Sequence, residues 1–281
     1  MVPHVQPSGA ARPAAGLLGA LDAAMDAGVT ARPLPPVFTP ALPAPESAGG
    51  PAAARDAAGV IPAERSEVLN RLVNVLVAAV ALLILAPVCV LAALAVKFTS
   101  PGPVFYTQTR VGLDRRWARG ASADDEDDER RQEDLGGQPF TILKFRSMRA
   151  DAERDGQAVW ATKHDARITP VGHVLRKTRL DEVPQLINVL RGEMNIVGPR
   201  PERPSIVVRL REHVHEYPQR QRVKPGITGW AQINHSYDSC IEDVRTKVRY
   251  DLEYIAGQSL WLDVKIMCLT LPVMLFKRGA H

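Results

Sequence analysis

Two acidic side chains, Asp181 and Glu182, stand next to each other in the segment KTRLDEVPQLINVLRGEMNIVGPRP. Three basic residues come just before the pair, at Arg176, Lys177 and Arg179. Cations that lie close to a carboxylate favour its ionised form. An ionised aspartate beside phosphate-binding cations can hold Mg²⁺, or it can attack a phosphorus atom and form an acyl phosphate. The residue types and their spacing therefore suit chemistry on a phosphate group.

The acid pair is predicted to lie at the start of a helix. Pro184 suits a first helical turn, and Gly192 suits the position just after the last turn. The partial positive charge of a helix N-terminus would also favour ionised carboxylates. Taken alone, an Asp-Glu pair at such a position is most often a solvated cap, and Gly-Pro-Arg-Pro is most often only a rigid turn. The interpretation therefore depends on the elements that surround the pair.

Two further helices are predicted downstream. Residues 240–257, CIEDVRTKVRYDLEYIAG, place four apolar side chains on one stripe: Val244, Val248, Leu252 and Ile255. Residues 260–276, LWLDVKIMCLTLPVMLF, are apolar but include Asp263, Lys265 and Pro272. This segment is short and charged for a membrane span, so it is predicted to lie in the membrane interface or to pack on the domain.

A β-hairpin is predicted upstream from two short segments rich in β-branched and aromatic residues, PVFYTQTRVG and PFTILKFRSMR. Between them, residues 124–134 read DDEDDERRQED, with eight acids and two arginines. This acidic insertion, 119–138, is predicted to be a solvated loop. Since its core carries a net charge of −6 and the chain +4, the remainder carries +10. A basic body predicts anionic partners such as phosphates or an anionic membrane face.

One apolar stretch, Leu72–Val96, would measure about 37 Å as a helix and could cross a ~30 Å hydrocarbon core. Pro87 interrupts this stretch, and a proline inside a helix bends or breaks it. Basic residues also flank both ends, whereas a single span prefers them on one side. The composition leaves two alternatives open: a transmembrane helix, or a re-entrant helix that turns at Pro87 and leaves on the face by which it entered.

The N-terminal segment, the cysteines and the histidine pair suggest no catalytic or metal site. Residues 1–62 are rich in Ala, Pro and Gly, so they are predicted to be a disordered tail and not a signal peptide. The three cysteines are far apart, which predicts no disulfide framework and a reducing compartment. His213 and His215 have no Cys or clear third ligand nearby, so a zinc site is not predicted.

Five blocks of the chain, from about Arg71 to Arg278, resemble the bacterial sugar transferase family, the monotopic phosphoglycosyl transferases. They are SPGPVFYTQTRVG, PFTILKFRSMR, TPVGHVLRKTRLDEVPQLINVLRGEMNIVGPRP, VKPGITGWAQIN and KVRYDLEYIAGQSLWLDVKI, in the family's order and spacing. The GPRPERP and KPGITGWAQIN variants are most similar to members that serve exopolysaccharide assembly. The resemblance covers nearly three-quarters of the chain.

The resemblance implies transfer of a sugar-1-phosphate from a UDP-sugar to polyprenyl (undecaprenyl) phosphate, with release of UMP. Asp181 would be the nucleophile that forms a covalent phosphosugar intermediate, and Glu182 would assist through metal or proton handling. The implied cofactor is Mg²⁺, held by both carboxylates. Arg176 matches a phosphate-contacting position. The remaining expected phosphate or nucleotide contacts are Lys144, Arg146 and Arg200.

The implied fold is mixed α/β and mostly helical, with a membrane re-entrant helix, interfacial amphipathic helices and a small β-hairpin. Residues 63–100 would form the re-entrant helix broken at Pro87, and residues 101–281 the catalytic domain. Many members have Ser before that proline, where this chain has Ala86, so one hydrogen bond that helps to break the helix is absent here. The implied location is the bacterial cytoplasmic (inner) membrane, with the catalytic domain on its cytoplasmic face.

Two other classes remain open at this point. A non-catalytic membrane adaptor of the same fold would recruit glycan-assembly partners, such as downstream glycosyltransferases. A nucleic-acid-binding membrane protein is suggested only by the positive charge, and no motif of stacking aromatic residues accompanies that charge. The sequence therefore predicts UDP-sugar, polyprenyl phosphate and the membrane as partners, and no nucleic acid.

Overall fold

The computed structural model describes residues 59–115, 135–149, 151–152, 165–235 and 241–275. The predictions for residues 1–58, which are most of the tail, and for the acidic run lie outside these residues. Within them the protein is mostly helical with little β-structure, as the sequence predicted.

Helix α1, Glu67–Thr99, contains the apolar stretch. It begins after Ser66, whose hydroxyl accepts a hydrogen bond from the Leu69 N–H at 3.3 Å. Its 33 residues correspond to about 50 Å of helix. Helical backbone continues through Pro87, where the sequence predicted a break. A proline removes a single N–H donor, and the hydrogen bonds on either side keep the segment helical. The re-entrant path stays a prediction.

One face of α1 packs on the rest of the protein along its length. The buried positions are Asn74, Ala78, Ala92 and Val96. Among the described residues, α1 is the one helix long and apolar enough to cross a membrane, and only 11% of its most apolar window is buried. Its other faces therefore expose a broad apolar surface, formed by Val68, Leu69, Leu72, Leu76, Val80, Leu83, Ile84, Val88, Val90, Leu91, Leu94 and Phe98.

The predicted hairpin is present as strands β1, Phe105–Val111, and β2, Pro139–Phe145, which pair antiparallel. The rings of Phe105 and Phe145 stack at 5.4 Å where the pairing begins. A second sheet was not predicted. It consists of β3, Asn195–Val197, and β4, Gly226–Thr228, which pair in parallel.

The other helices surround these two small sheets. They are α2, Pro170–Lys177; α3, Gln185–Arg191; α4, Pro204–His213; α5, Trp230–Asn234; α6, Ile241–Gly257; and α7, Leu260–Leu275. Two 3-10 turns, Leu180–Glu182 and Tyr217–Arg222, connect them. Helices α6 and α7 confirm the two predicted downstream helices, and Val244, Val248 and Ile255 of the predicted stripe are buried. Pro184 is the N-cap of α3, one position before the predicted first turn.

Candidate active site

The acid pair does not belong to the helix that follows it. Asp181 and Glu182 lie in the separate 3-10 turn, and Arg179 leads into that turn with a left-handed backbone, φ 59°. Arg179 is the one non-glycine residue with positive φ in the described chain. Such a conformation is costly for a residue with a Cβ and is commonly found at functional sites. Both carboxylates are buried, not the solvated cap that is usual for such a pair.

Glu182 joins two cations that come from distant parts of the chain. Its Oε1 accepts hydrogen bonds from Lys144 Nζ at 2.8 Å and from Arg200 Nη2 at 2.6 Å. Lys144 belongs to β2, and Arg200 belongs to the Gly-Pro-Arg-Pro turn after β3. The fold thus brings both of these predicted phosphate contacts to the acid pair.

The two carboxyl groups differ in pKa. Burial, and then the charge of Glu182, raise the pKa of Asp181 to about 6, against the opposing effect of Lys144, Arg176 and Arg179. Burial would also raise the pKa of Glu182, but Arg200 and Lys144 hold it well below its usual value. The nearby cations lower the pKa of Asp181, as expected from the sequence, but burial outweighs their effect. At neutral pH Asp181 is still mostly ionised.

The turn that carries Arg200 is fixed by hydrogen bonds to its backbone. The Gly198 N–H donates to the Thr228 carbonyl at 2.9 Å, and the Gly226 N–H donates to the Pro199 carbonyl at 3.0 Å. A side chain at Gly226 would collide with the Gly198 backbone, which explains the glycine at this crossing. Sheet β3–β4 therefore serves to hold this turn.

A second layer of charges lies behind the turn, and no local sequence pattern predicts it. Arg220 Nη2 donates to the Arg200 carbonyl at 3.0 Å, and Arg220 Nε donates to Asp251 at 2.6 Å. The pKa of Glu202, low at about 2, reflects the charges of Lys247 and Arg110, which outweigh the effect of burial. These groups are far apart in the sequence, and only tertiary folding brings them together.

Two predicted phosphate contacts, Arg146 and Arg176, make no hydrogen bond to the acid pair within the described residues, and their contact with phosphate stays a prediction. Arg146 Nη2 donates to the carbonyl and the hydroxyl of Ser100, at 2.7 and 2.8 Å, so its side chain holds the end of α1. It is buried and makes no hydrogen bond to Asp181 or Glu182 among the described residues. Arg176 is half-buried at the end of α2, and its charge lowers the pKa of Asp181.

The acid pair offers few ligands for a metal. No group of three or more His, Cys, Asp or Glu side chains converges within the described residues. Mg²⁺ in phosphate-handling sites is often held by one or two carboxylates together with substrate phosphates. The Asp181 carboxylate fits that role, since no hydrogen bond to it is formed by the described side chains. Glu182 is already engaged by Lys144 and Arg200.

Comparison with known proteins identifies the family of this chain. A model of the family described as bacterial sugar transferase matches residues 65–119 and 128–277. The chain is 42% identical over 207 residues to the UDP-glucose:undecaprenyl-phosphate glucose-1-phosphate transferase of Escherichia coli (strain K12), covering 73% of this chain and 40% of that protein. It is 37% identical over 226 residues to the protein of the same name in Caulobacter vibrioides, covering 79% and 76%.

A third relative has a different name. The UDP-N-acetylgalactosamine-undecaprenyl-phosphate N-acetylgalactosaminephosphotransferase of Aeromonas hydrophila is 38% identical over 213 residues, covering 76% of this chain and 45% of that protein. Against both this relative and the one from Escherichia coli, the chain spans less than half of the relative's length. The match to the family model covers most of the chain and includes the helix, hairpin and acid pair described above. This chain belongs to the bacterial sugar transferase family.

Proposed function

We propose that this protein transfers a sugar-1-phosphate from a UDP-sugar to polyprenyl phosphate, giving polyprenyl-diphosphate-sugar and UMP. The names of its relatives describe this reaction for glucose and for N-acetylgalactosamine. The observation that carries the proposal is the buried Asp181 carboxylate next to the Lys144–Glu182–Arg200 cluster. It combines a group that can attack phosphorus with cations that can neutralise a diphosphate.

The first half-reaction uses Asp181 as the nucleophile. One carboxylate oxygen bonds to the phosphorus that bears the sugar, and the bond from that phosphorus to the bridging oxygen breaks. The electron pair of this bond leaves with UMP, and an acyl phosphate carrying the sugar remains on Asp181. Lys144 and Arg200 are placed to offset the negative charge that develops on the phosphoryl oxygens.

The second half-reaction returns the enzyme to its starting state. A phosphate oxygen of the polyprenyl phosphate attacks the same phosphorus, and the bond to the Asp181 oxygen breaks. The carboxylate is regenerated, and the sugar-1-phosphate is now linked to the lipid through a diphosphate. Neither step requires a proton to be taken from the attacking group, because both nucleophiles are anions at neutral pH.

In this scheme Glu182 acts through the cations. Since its pKa lies well below neutral, it stays ionised and is poorly suited to move a proton. Its carboxylate instead holds Lys144 and Arg200 next to Asp181 before the substrate arrives. Mg²⁺, held by Asp181 and the substrate phosphates, would supply further charge neutralisation.

The reaction requires a membrane surface, and α1 offers one means of reaching it. Its Ala78 region packs on α3, and its Val96 region packs on Phe145 and Leu175, so both ends rest on one domain. Arg146 also binds Ser100 at its C-terminal end. These contacts support a re-entrant path in which both ends stay on the cytoplasmic face of the inner membrane. Trp261 and Leu271, exposed on α7, support an interfacial position for that helix.

A reaction without lipid tests the proposal. Enzyme mixed with a panel of UDP-sugars and Mg²⁺ should release up to about one UMP per site and gain the mass of a phosphosugar at Asp181. Asp181→Asn should form neither product, whereas Glu212→Gln, on the exposed face of α4, should behave as wild type. Turnover with lipid but without an adduct after rapid quenching would instead indicate direct attack by the lipid phosphate.

A further inference from the structure

Asn74 is the sole residue with a strongly polar side chain in the apolar stretch Leu72–Val96. Polar residues in membrane segments are costly and usually have a specific role. Asn74 is 5% exposed, and its Oδ1 accepts a hydrogen bond from the Ile196 N–H at 2.6 Å. Ile196 is the middle residue of β3. The N–H groups of Asn195, just before it, and of Gly198, two residues after it, donate instead to the Pro225 and Thr228 carbonyls on the side of β4. Asn74 thus satisfies a donor on the free edge of β3.

Arg71 makes a comparable contact one turn earlier on α1. Its guanidinium donates to the carbonyl of Val189 and, at 2.6 Å, to the carbonyl of Leu190. These carbonyls are in the last turn of α3, where helix carbonyls lack intrahelical donors and attract positive charge. Arg71 therefore caps the C-terminal end of the helix that follows the acid pair.

The two contacts join α1 to both elements that carry the active site. Helix α3 starts three residues after Glu182, and β3 ends three residues before Arg200. Because Arg71 and Asn74 are three residues apart, they lie on the same face of α1. From this geometry we infer that Arg71 and Asn74 are positioning residues that fix the active site relative to the membrane helix, and hence relative to the phosphate of the lipid acceptor.

This inference rests on the proposed function and predicts an unequal effect on its two steps. The UDP-sugar approaches from solution, so the first step does not depend on how the site is oriented to the membrane. The acceptor phosphate is held at the membrane surface by its lipid tail. Misplacement of reacting atoms by about 1 Å can slow a reaction by up to ~100-fold. Loosening the junction should therefore slow transfer to the lipid more than loading of Asp181.

The test compares Asn74→Leu and Arg71→Gln with wild type in vesicles that contain polyprenyl phosphate. Transfer of the phosphosugar to the lipid should fall at least about tenfold, equivalent to ~1.4 kcal/mol in the barrier, while lipid-free UMP release changes less than about threefold. Transfer to a short, water-soluble isoprenyl phosphate should stay close to wild type. Arg71→Lys keeps a cation that can donate to the carbonyls at the end of α3, so it should retain much of the lipid activity that Arg71→Gln loses.

Two matched variants control for general damage. Thr99→Ala removes a polar group from the same helix, whose hydroxyl donates to the Ala95 carbonyl one turn earlier and to no other element of the described chain. Arg191→Ala removes a positive charge from the end of α3 at an exposed position. Equal losses in both half-reactions, or no loss in either, would overturn the inference. Absence of UMP release by the wild-type enzyme would instead count against the proposed function.

Discussion

Arg220 binds Asp251 through Nε at 2.6 Å and the main-chain carbonyl of Arg200 through Nη2 at 3.0 Å. A buried ion pair therefore supports the backbone of the residue whose side chain reaches Glu182. The pair is almost fully buried, so loss of one partner would leave an uncompensated charge. The ion pair therefore has two effects that can be tested separately: it contributes to the stability of the fold, and it supports the backbone of Arg200.

The first prediction uses Arg220→Lys, which keeps the charge beside Asp251 but loses the planar fork that bonds to two acceptors at once. We expect folded protein whose lipid-free UMP release is at least about tenfold slower, because Arg200 is held less firmly. Asp251→Asn should in addition lower the free energy of unfolding by ~3–5 kcal/mol. Single-turnover UMP release and chemical denaturation measure the two effects.

An exposed ion pair provides the control for this prediction. Arg245 and Glu242 lie 3.7 Å apart on the surface of α6, and surface pairs contribute ~0–1 kcal/mol. Arg245→Lys should change neither UMP release nor unfolding. Wild-type rates in Arg220→Lys would show that the hydrogen bond to the Arg200 carbonyl does not matter for catalysis.

The second prediction concerns the pH dependence of the first half-reaction. The pKa of Asp181 is about 6, and only the ionised carboxylate can attack phosphorus. The rate of lipid-free UMP release should therefore rise with pH through about 6 and level off above it. Glu182→Gln removes one cause of the raised pKa and frees two cations, so the midpoint should move to lower pH as the rate falls. Glu212→Gln, with the same loss of charge at an exposed site, should leave the midpoint in place.

Elements with a strong local pattern were predictable from the sequence. The β-branched and aromatic residues of the hairpin, the apolar stripe of α6 and the apolar length of α1 each determine their structure locally. Strands β3 and β4 have three residues each, which is too short for an alternating pattern, and they form only because the glycine-containing turns pack together.

From local sequence patterns alone, the candidate site was predictable only where its residues are close in sequence, and Lys144 was expected only from the family resemblance. Asp181, Glu182 and Arg200 lie in one segment, whereas Lys144 reaches Glu182 from 38 residues away. Arg146 looked equivalent to Lys144, two residues away, but in the structure it binds Ser100 instead. The burial that raises the pKa of Asp181 is a property of the tertiary structure, so the basic residues nearby in sequence could not predict it.

The third prediction concerns the glycine crossing beneath Arg200. In Gly226→Ala, the new Cβ would lie too close to the backbone of Gly198 for either strand to keep its position. We expect a lower melting temperature and slower UMP release, because the Arg200 turn hydrogen-bonds directly to Gly226. Gly257→Ala is the matched control, since a Cβ there meets no neighbouring atom within 4 Å. Similar melting temperatures for the two variants would contradict the proposed role of the crossing.

The last prediction is that the buried, ionised carboxylate of Asp181 lowers the free energy of unfolding at neutral pH. The folded pKa of about 6 exceeds the value of an unfolded aspartate, about 3.9, so the folded state binds the proton more tightly. The contribution of Asp181 to stability should therefore be most favourable below about pH 4, become less favourable as the pH rises to about 6, and stay lower by roughly 3 kcal/mol above it. Asp181→Asn removes the charge and keeps the shape, so at neutral pH it should be inactive and more stable by up to that amount.

Unfolding in denaturant at several pH values measures the difference, which should disappear at acid pH, where wild-type Asp181 is protonated. An Asp181→Asn protein that is less stable than wild type at neutral pH would show that the carboxylate stabilises the fold.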